Sequence, residues 1–201
     1  MTSAPDWKAR PEGPDYDAVR GRLVDAAAQI VRDGGVNSLR LDSVAEAAGL
    51  HRSSVYRYFA SKEELLTAVV AQATSRVRRK VVRKLGRSAP PEQLLAEGLA
   101  MALAELTSDP IHRALTDPSA SETMSKVGNK ALTGGLGPLV DPVFEQAAAQ
   151  GLLRDGVTAA DASRWLQVVA RGLLRSPDVL PDRAAVTALL ELMLIPALFE
   201  R

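Results

Sequence analysis

The stretch Arg52-Ser53-Ser54-Val55-Tyr56-Arg57-Tyr58 gathers the side chains best suited to reading a shaped polyanion. An arginine fork can bond O6 and N7 of one guanine together, and a serine hydroxyl can serve a base edge or a phosphate. Tyrosine hydroxyls reach phosphate oxygens. Little other chemistry is on offer. The chain has no cysteine and only two histidines, His51 and His112, which excludes a disulfide framework, a thiolate nucleophile and zinc-ribbon or iron–sulfur sites. His112 stands three residues after Asp109 and seven after Glu105. With no Cys or second His nearby, a surface or hydrogen-bonded buried histidine is the expected reading, and neither a metal nor a cofactor is expected. No Gly-x-Ser-x-Gly, P-loop or dinucleotide-type glycine pattern is found.

Presenting those side chains takes two short helices and a turn. Leu41, Val44, Ala45 and Ala48 fall on one side of a helix that Gly49 stops. A third helix is expected at about 52–58. Ala45 is small where the next helix must cross, Gly49 tolerates the positive φ of a tight turn, and Leu50 and Val55 can tuck the second helix onto the first. This is helix-turn-helix logic. The flanking helices follow from periodicity. Val19, Leu23, Ala26 and Ile30 make one face of a helix closed by Gly34-Gly35. Ser61 with Glu64 has capping-box spacing and opens a long helix to about Leu85, striped by Leu65, Leu66, Val69, Ala73, Val77, Val81 and Leu85.

Val44-Ala45-Glu46-Ala47-Ala48-Gly49-Leu50, then Val55-Tyr56-Arg57-Tyr58-Phe59, then Ser61-Lys62-Glu63-Glu64-Leu65-Leu66 resembles the N-terminal domain of TetR-type transcriptional regulators. The resemblance covers about residues 16–70, and its specific part is Tyr-x-x-Phe followed by Ser-Lys-x-x-Leu. It implies that Arg52, Ser53 and Ser54 touch bases at the front of the recognition helix. Tyr56 and Tyr58 would grip phosphates beside Arg57, and Lys62 would meet the backbone where a helix N-terminus also attracts phosphate. Two positions depart from the pattern. His51 replaces the usual capping Ser or Thr: it either leaves the cap to Ser53 or a water, or contacts DNA itself. Arg40 replaces a small capping hydroxyl, so that Asp42 or Ser43 could cap and free Arg40 for a phosphate.

Gly86-Arg87-Ser88-Ala89-Pro90-Pro91 breaks the helical pattern where the charge balance also changes. Residues 1–90 hold 16 Lys and Arg against 10 Asp and Glu, a net of +6; the whole chain holds 25 and 24, leaving 9 against 14, a net of −5, for residues 91–201. A basic front and an acidic back suggest two tasks, the first on a polyanion. The organisation expected is a flexible tail over 1–15, a DNA-binding domain over 16–62, a connecting helix over 63–88 and a ligand-binding and dimerisation domain over 89–201. Lys8 and Arg10 in the tail either reach a minor groove or lie idle. The basic run from Arg76 to Arg87 reads as a solvated face, or one paired with the acidic second domain.

Beyond the break, helices are expected at about 92–107, 139–150, 158–175 and 182–199, a weaker one at 119–132, and a loop at Gly134–Pro138. The fold class is all-α with about nine helices; aromatics are only 4% of the chain and no segment alternates like a strand. The last helix is apolar nearly all round, so it is buried on more than one side. Either it is an internal core helix or, as the resemblance implies, it pairs with a second copy through Ala162, Leu166, Val169, Leu173, Leu189, Leu192 and Met193. The resemblance also implies a pocket for an apolar small-molecule effector, with Met101, His112, Met124, Phe144, Trp165 and Gln167 as its candidate lining.

The function implied is a ligand-responsive repressor, cytoplasmic and free of membrane spans, that binds a palindromic operator in double-stranded DNA as a homodimer. A helical interaction module with a vestigial helix-turn-helix, or an enzyme recruited to the same fold, stands as the alternative.

Overall fold

A computed structural model describes residues 14–86, 88–116, 122–175 and 182–200. The expected tail lies outside them, apart from its last two residues. Among the described residues the protein is helical, with one isolated antiparallel bridge between Leu153 and Phe199.

The N-terminal third forms α1 (Pro14–Gly34), α2 (Leu41–Ala47), α3 (Arg52–Val55) and the long α4 (Lys62–Leu85). α1 starts at Pro14, inside the segment expected to be tail; proline's fixed φ suits a first helical turn. Gly35 (φ 72°) ends α1 and Gly49 (φ 69°) makes the turn between α2 and α3, both in the left-handed region. Leu23, Ala27, Val31, Leu39, Val44, Ala45, Val55, Phe59, Leu65, Leu66 and Val69 close over one another as a buried core.

The second part begins with α5 (Pro91–Gln93), which runs through a π-turn at Leu94–Gly98 into α6 (Leu99–Ser108). Then come α7 (Pro110–Thr116), α8 (Glu122–Ala149) and α9 (Ala159–Arg175). α10 (Arg183–Leu189) continues through a π-turn at Leu190–Leu194 into α11 (Ile195–Leu198). Its core joins Leu95, Leu99, Leu103 and Leu106 to Leu136, Val140, Phe144, Leu166, Ala170, Leu190 and Leu194. α4 belongs to both cores: Leu65 to Val70 serve the first, Val77 the second. The chain also returns once to the first core, because Ile111 of α7 is buried there.

Two sequence expectations are corrected. No helix is expected between about 107 and 119, yet Asp109 Oδ1 accepts from the Ile111 and His112 N–H groups and starts α7 there. Gly134–Pro138 is not a loop but lies within the 28-residue α8. Tertiary burial overrides local preference there, since Leu136, Val140, Phe144 and Ala147 form one buried stripe.

Candidate nucleic-acid interface

The recognition segment is shorter as an α-helix than expected. α3 stops at Val55, and residues 56–58 tighten into i→i+3 turns, with Arg57 N donating to Ser54 O (3.1 Å) and Tyr58 N to Val55 O (3.0 Å). Val55 and Phe59 are fully buried and pull this turn onto the core. Tyr58 is half-buried and stacks on Tyr16 of α1, ring centroids 4.8 Å apart, while the Arg20 guanidinium lies 4.9 Å from the centre of the Phe59 ring. Arg52, Ser53, Tyr56 and Arg57 are left exposed, and Ser54 is half-buried. The segment therefore offers an arginine, serine and tyrosine face to solvent while its apolar side is locked down.

His51 caps α3. Its Nδ1 accepts from the Ser53 N–H, a long contact at 3.4 Å, and lies 2.8 Å from Ser53 Oγ. If Nδ1 accepts both protons, the ring carries its own on Nε2. The Ser53 hydroxyl is then spent on the cap but keeps lone pairs to accept from a base. At α2 no side chain caps: Arg40 holds the N-cap position extended and exposed, and neither Asp42 nor Ser43 takes that role. Asp42 instead faces the start of α3, where its Oδ1 lies 2.7 Å from Arg52 Nε.

The N-terminus of α4 supplies the positive end. Ser61 Oγ accepts from the Glu64 N–H (3.2 Å), and the Glu64 carboxylate accepts from the Ala60 N–H (2.8 Å), one residue before the N-cap rather than on it. Lys62 is the first residue of this helix. Burial of its ammonium lowers its pKa below the usual lysine value; Glu63 raises it in part and nearby Arg40 lowers it further. Two cations thus share one helix end, a place that favours a bound anion. Lys62→Ala is expected to weaken all duplexes by a similar factor and to reduce the slope of log affinity against log salt by about one, read from titrations at several salt concentrations.

The effector candidates are placed differently from expectation. The apolar cavity, about 190 Å³, lies between α4, the π-turn of α5–α6 and α8; Val81, Leu95, Leu99 and Val143 line it, with Arg78 and Gln146 as polar members. None of the five candidates whose side chains are described lines it. Phe144 is buried in the core, His112 is buried on α7, Met101 is half-buried and Trp165 is exposed. The Met124 side chain lies outside the described residues. Gln167 lines a separate, polar pocket of about 450 Å³ with Asp141, Ser163 and Arg164; it donates to Ser163 Oγ, which itself donates to Asp141. Burial of the His112 imidazole lowers its pKa, Asp109 offsetting part of this. The missed signal for the cavity is Gly98, where a Cβ would stand 3.2 Å from Val81 Cγ1: glycine lets the π-turn approach α4.

The interface candidates divide. Ala162 and Leu166 lie inside the chain's own core with Ala170 and Leu174, so they are not free to meet another molecule. Val169, Leu173 and Leu189 are half-buried. Leu192 (71% exposed) and Met193 (61%) are open on the last helix, and so are Trp165 (46%) and Val168 (61%) on α9. α9 carries two apolar stripes, and the sequence reading took the inner one as the interface. Among the described residues no helix is long and apolar enough to cross a membrane, and no three acidic or histidine side chains form a metal-holding group.

Residues 23–69 match the family model for bacterial regulatory proteins of the tetR family. An uncharacterized HTH-type transcriptional regulator of Mycobacterium tuberculosis is 32% identical over 89 residues, 44% of each chain. The HTH-type transcriptional repressor KstR of the same organism is 30% identical over 139 residues, 66% of this chain and 59% of the repressor. The chain therefore spans about half the length of these relatives. Solved structures share the fold over most of the molecule. The fatty acid degradation regulator FadR from Bacillus halodurans has a TM-score of 0.60 at 20% identity, covering 92% of this chain and 96% of that one. RolR in complex with resorcinol has a TM-score of 0.68 at 18% identity, covering 91% of each. Over residues 23–69, then, the chain carries a helix-turn-helix domain of the type found in bacterial regulatory proteins of the tetR family.

Proposed function

We propose that this protein is a ligand-responsive transcriptional repressor that acts in the cytoplasm and binds a palindromic operator as a homodimer. The observation that carries the reading is the polar face of Arg52, Ser53, Tyr56 and Arg57, exposed on a turn whose other side is anchored by fully buried Val55 and Phe59. Two such faces in a dimer would enter successive major grooves, roughly 34 Å apart. The exposed apolar stripes at Trp165, Val168, Leu192 and Met193 supply the surface for a second copy.

The effector site in this reading is the apolar cavity beside α4. Neighbours of the same fold are named with resorcinol and with stearoyl-CoA, which supports an apolar or amphipathic occupant here. Its position suggests the coupling route. α4 lines the cavity with Val81 and reaches the DNA-facing end with Lys62, so a shift of this helix moves both. Coupling of about 1–3 kcal/mol is typical of such linkage.

Selection from a random duplex pool at near-physiological salt tests the reading. An enriched inverted repeat is the expected result; no enrichment by folded protein, before and after refolding from denaturant to remove bound ligand, would overturn it. Arg52→Ala is expected to cost about 1–3 kcal/mol on the enriched site and to relax preference at one base pair per half-site. Binding with unchanged affinity and selectivity would remove Arg52 from the base contacts.

A further inference from the structure

We propose that Asp42 is a specificity-determining positioning residue, which fixes the Arg52 guanidinium so that it reads one guanine end-on. The inference rests on the DNA-binding reading above and goes beyond it to a residue of α2. Arg52 Nε lies 2.7 Å from Asp42 Oδ1. That oxygen is shielded from water and takes no aligned hydrogen bond, so the ion pair with Arg52 is what compensates its charge. A shielded carboxylate oxygen with no other compensation holds its cation, because leaving it bare is costly. Both side chains otherwise reach solvent, with Arg52 70% and Asp42 46% exposed. The pair thus ties down the inner edge of the guanidinium and leaves its outer edge free.

The choice of nitrogen decides the chemistry. A guanidinium can present either its Nη1/Nη2 edge or its Nε/Nη2 edge to two acceptors. With Nε facing Asp42, the Nη1/Nη2 edge remains for a bidentate partner. Guanine O6 and N7 present that pair of acceptors in the major groove, whereas adenine offers an acceptor and a donor. Charge points the same way. A carboxylate beside a phosphate surface opposes binding, and Asp42 neutralises the arginine it holds, so Arg52 is poorly suited to be a plain phosphate counter-ion. Asp42 therefore lowers general attraction to DNA while sharpening the reading of one base pair.

The test is duplex-pool selection with the full chain as wild type, Arg52→Ala, Asp42→Ala, Asp42→Asn and the double alanine variant, together with affinity for an unrelated duplex. In Asp42→Ala, guanine preference is expected to fall about tenfold at the same base pair that Arg52→Ala relaxes, the size of one bidentate base contact. Affinity for the unrelated duplex should rise two- to threefold. Asp42→Asn keeps the shape and an accepting oxygen, so it should retain part of the preference; it also serves if the alanine variant folds poorly. The double variant should match Arg52→Ala, because the two residues act as a unit. If Asp42→Ala keeps the guanine preference within twofold, or tightens operator binding, Asp42 is a bystander or a latch and the inference falls. A wild-type protein that enriches no sequence overturns the DNA-binding reading itself, and this inference with it.

Discussion

A chain carrying Leu192→Glu and Met193→Glu is expected to sediment as a folded monomer and to lose nearly all operator affinity. Both side chains are mostly exposed, so replacing them removes little from the chain's own core, and thermal unfolding should change only slightly. In the proposed dimer the cost is different. A stable dimer of this kind buries about 800 Å² per partner, much of it apolar, and two carboxylates placed there would each lose water without gaining a cation. Two half-sites held together bind far more tightly than either alone, because the second contact is intramolecular. Loss of the dimer should therefore weaken operator binding by about a hundredfold or more, while half-site binding persists. Leu166→Ala is the informative contrast. That residue is fully buried inside the chain, so the substitution should cost about 2–5 kcal/mol of folding stability whatever the oligomeric state. Sedimentation of the glutamate variant as an unchanged dimer would move the interface elsewhere.

The contrast between Leu166 and Leu192 also shows what a single sequence reveals. The DNA-binding part was legible because short-range rules set it. Gly35 and Gly49 do adopt positive φ, Ser61 does cap α4, and the apolar spacing in α1, α2 and α4 does mark the buried face. Thr158 and Asp182 likewise open α9 and α10, through the N–H groups of Asp161 and Ala185. Periodicity fails where a helix carries two apolar stripes. On α9 nothing local distinguishes the stripe of Ala162 and Leu166 from that of Trp165 and Val168; only packing against α8 does. The same limit explains α8. Three glycines and a proline over 134–138 argue for a loop, and the buried run from Leu136 to Ala147 overrules them. The described effector candidates fall away from the apolar cavity for a related reason. Large or aromatic residues such as Phe144 are what a core selects, whereas the cavity arises where Gly98 lets two backbones approach and small and branched side chains leave space. The sequence offers Asp42 only as a possible cap, because its pairing with Arg52 is set by how α2 crosses α3, ten residues on.

Phe59→Ala is expected to destabilise the DNA-binding part by about 3–5 kcal/mol, the usual cost of emptying an aromatic site in a packed core. Phe59 is fully buried, the largest side chain of the first core, and it closes the end of the recognition turn onto it. Its removal would do more than leave a void. Arg20 would lose the ring beneath its guanidinium, and the neighbouring Tyr58, stacked on Tyr16, would lose the anchor that sets its position. α3 is only four residues long, too short to hold its shape alone, so the geometry of Arg52 to Arg57 depends on this anchor rather than on helix propensity. Thermal unfolding should fall by roughly 10 °C or more. Operator affinity should drop even at temperatures where the protein is still mostly folded, because a loosened turn must be ordered again on binding. The second part keeps a separate buried core around Phe144 and Leu166, so the proposed dimer should survive. A variant that loses its dimer together with its DNA binding would show instead that α4, shared by both cores, makes the two parts fold as one unit.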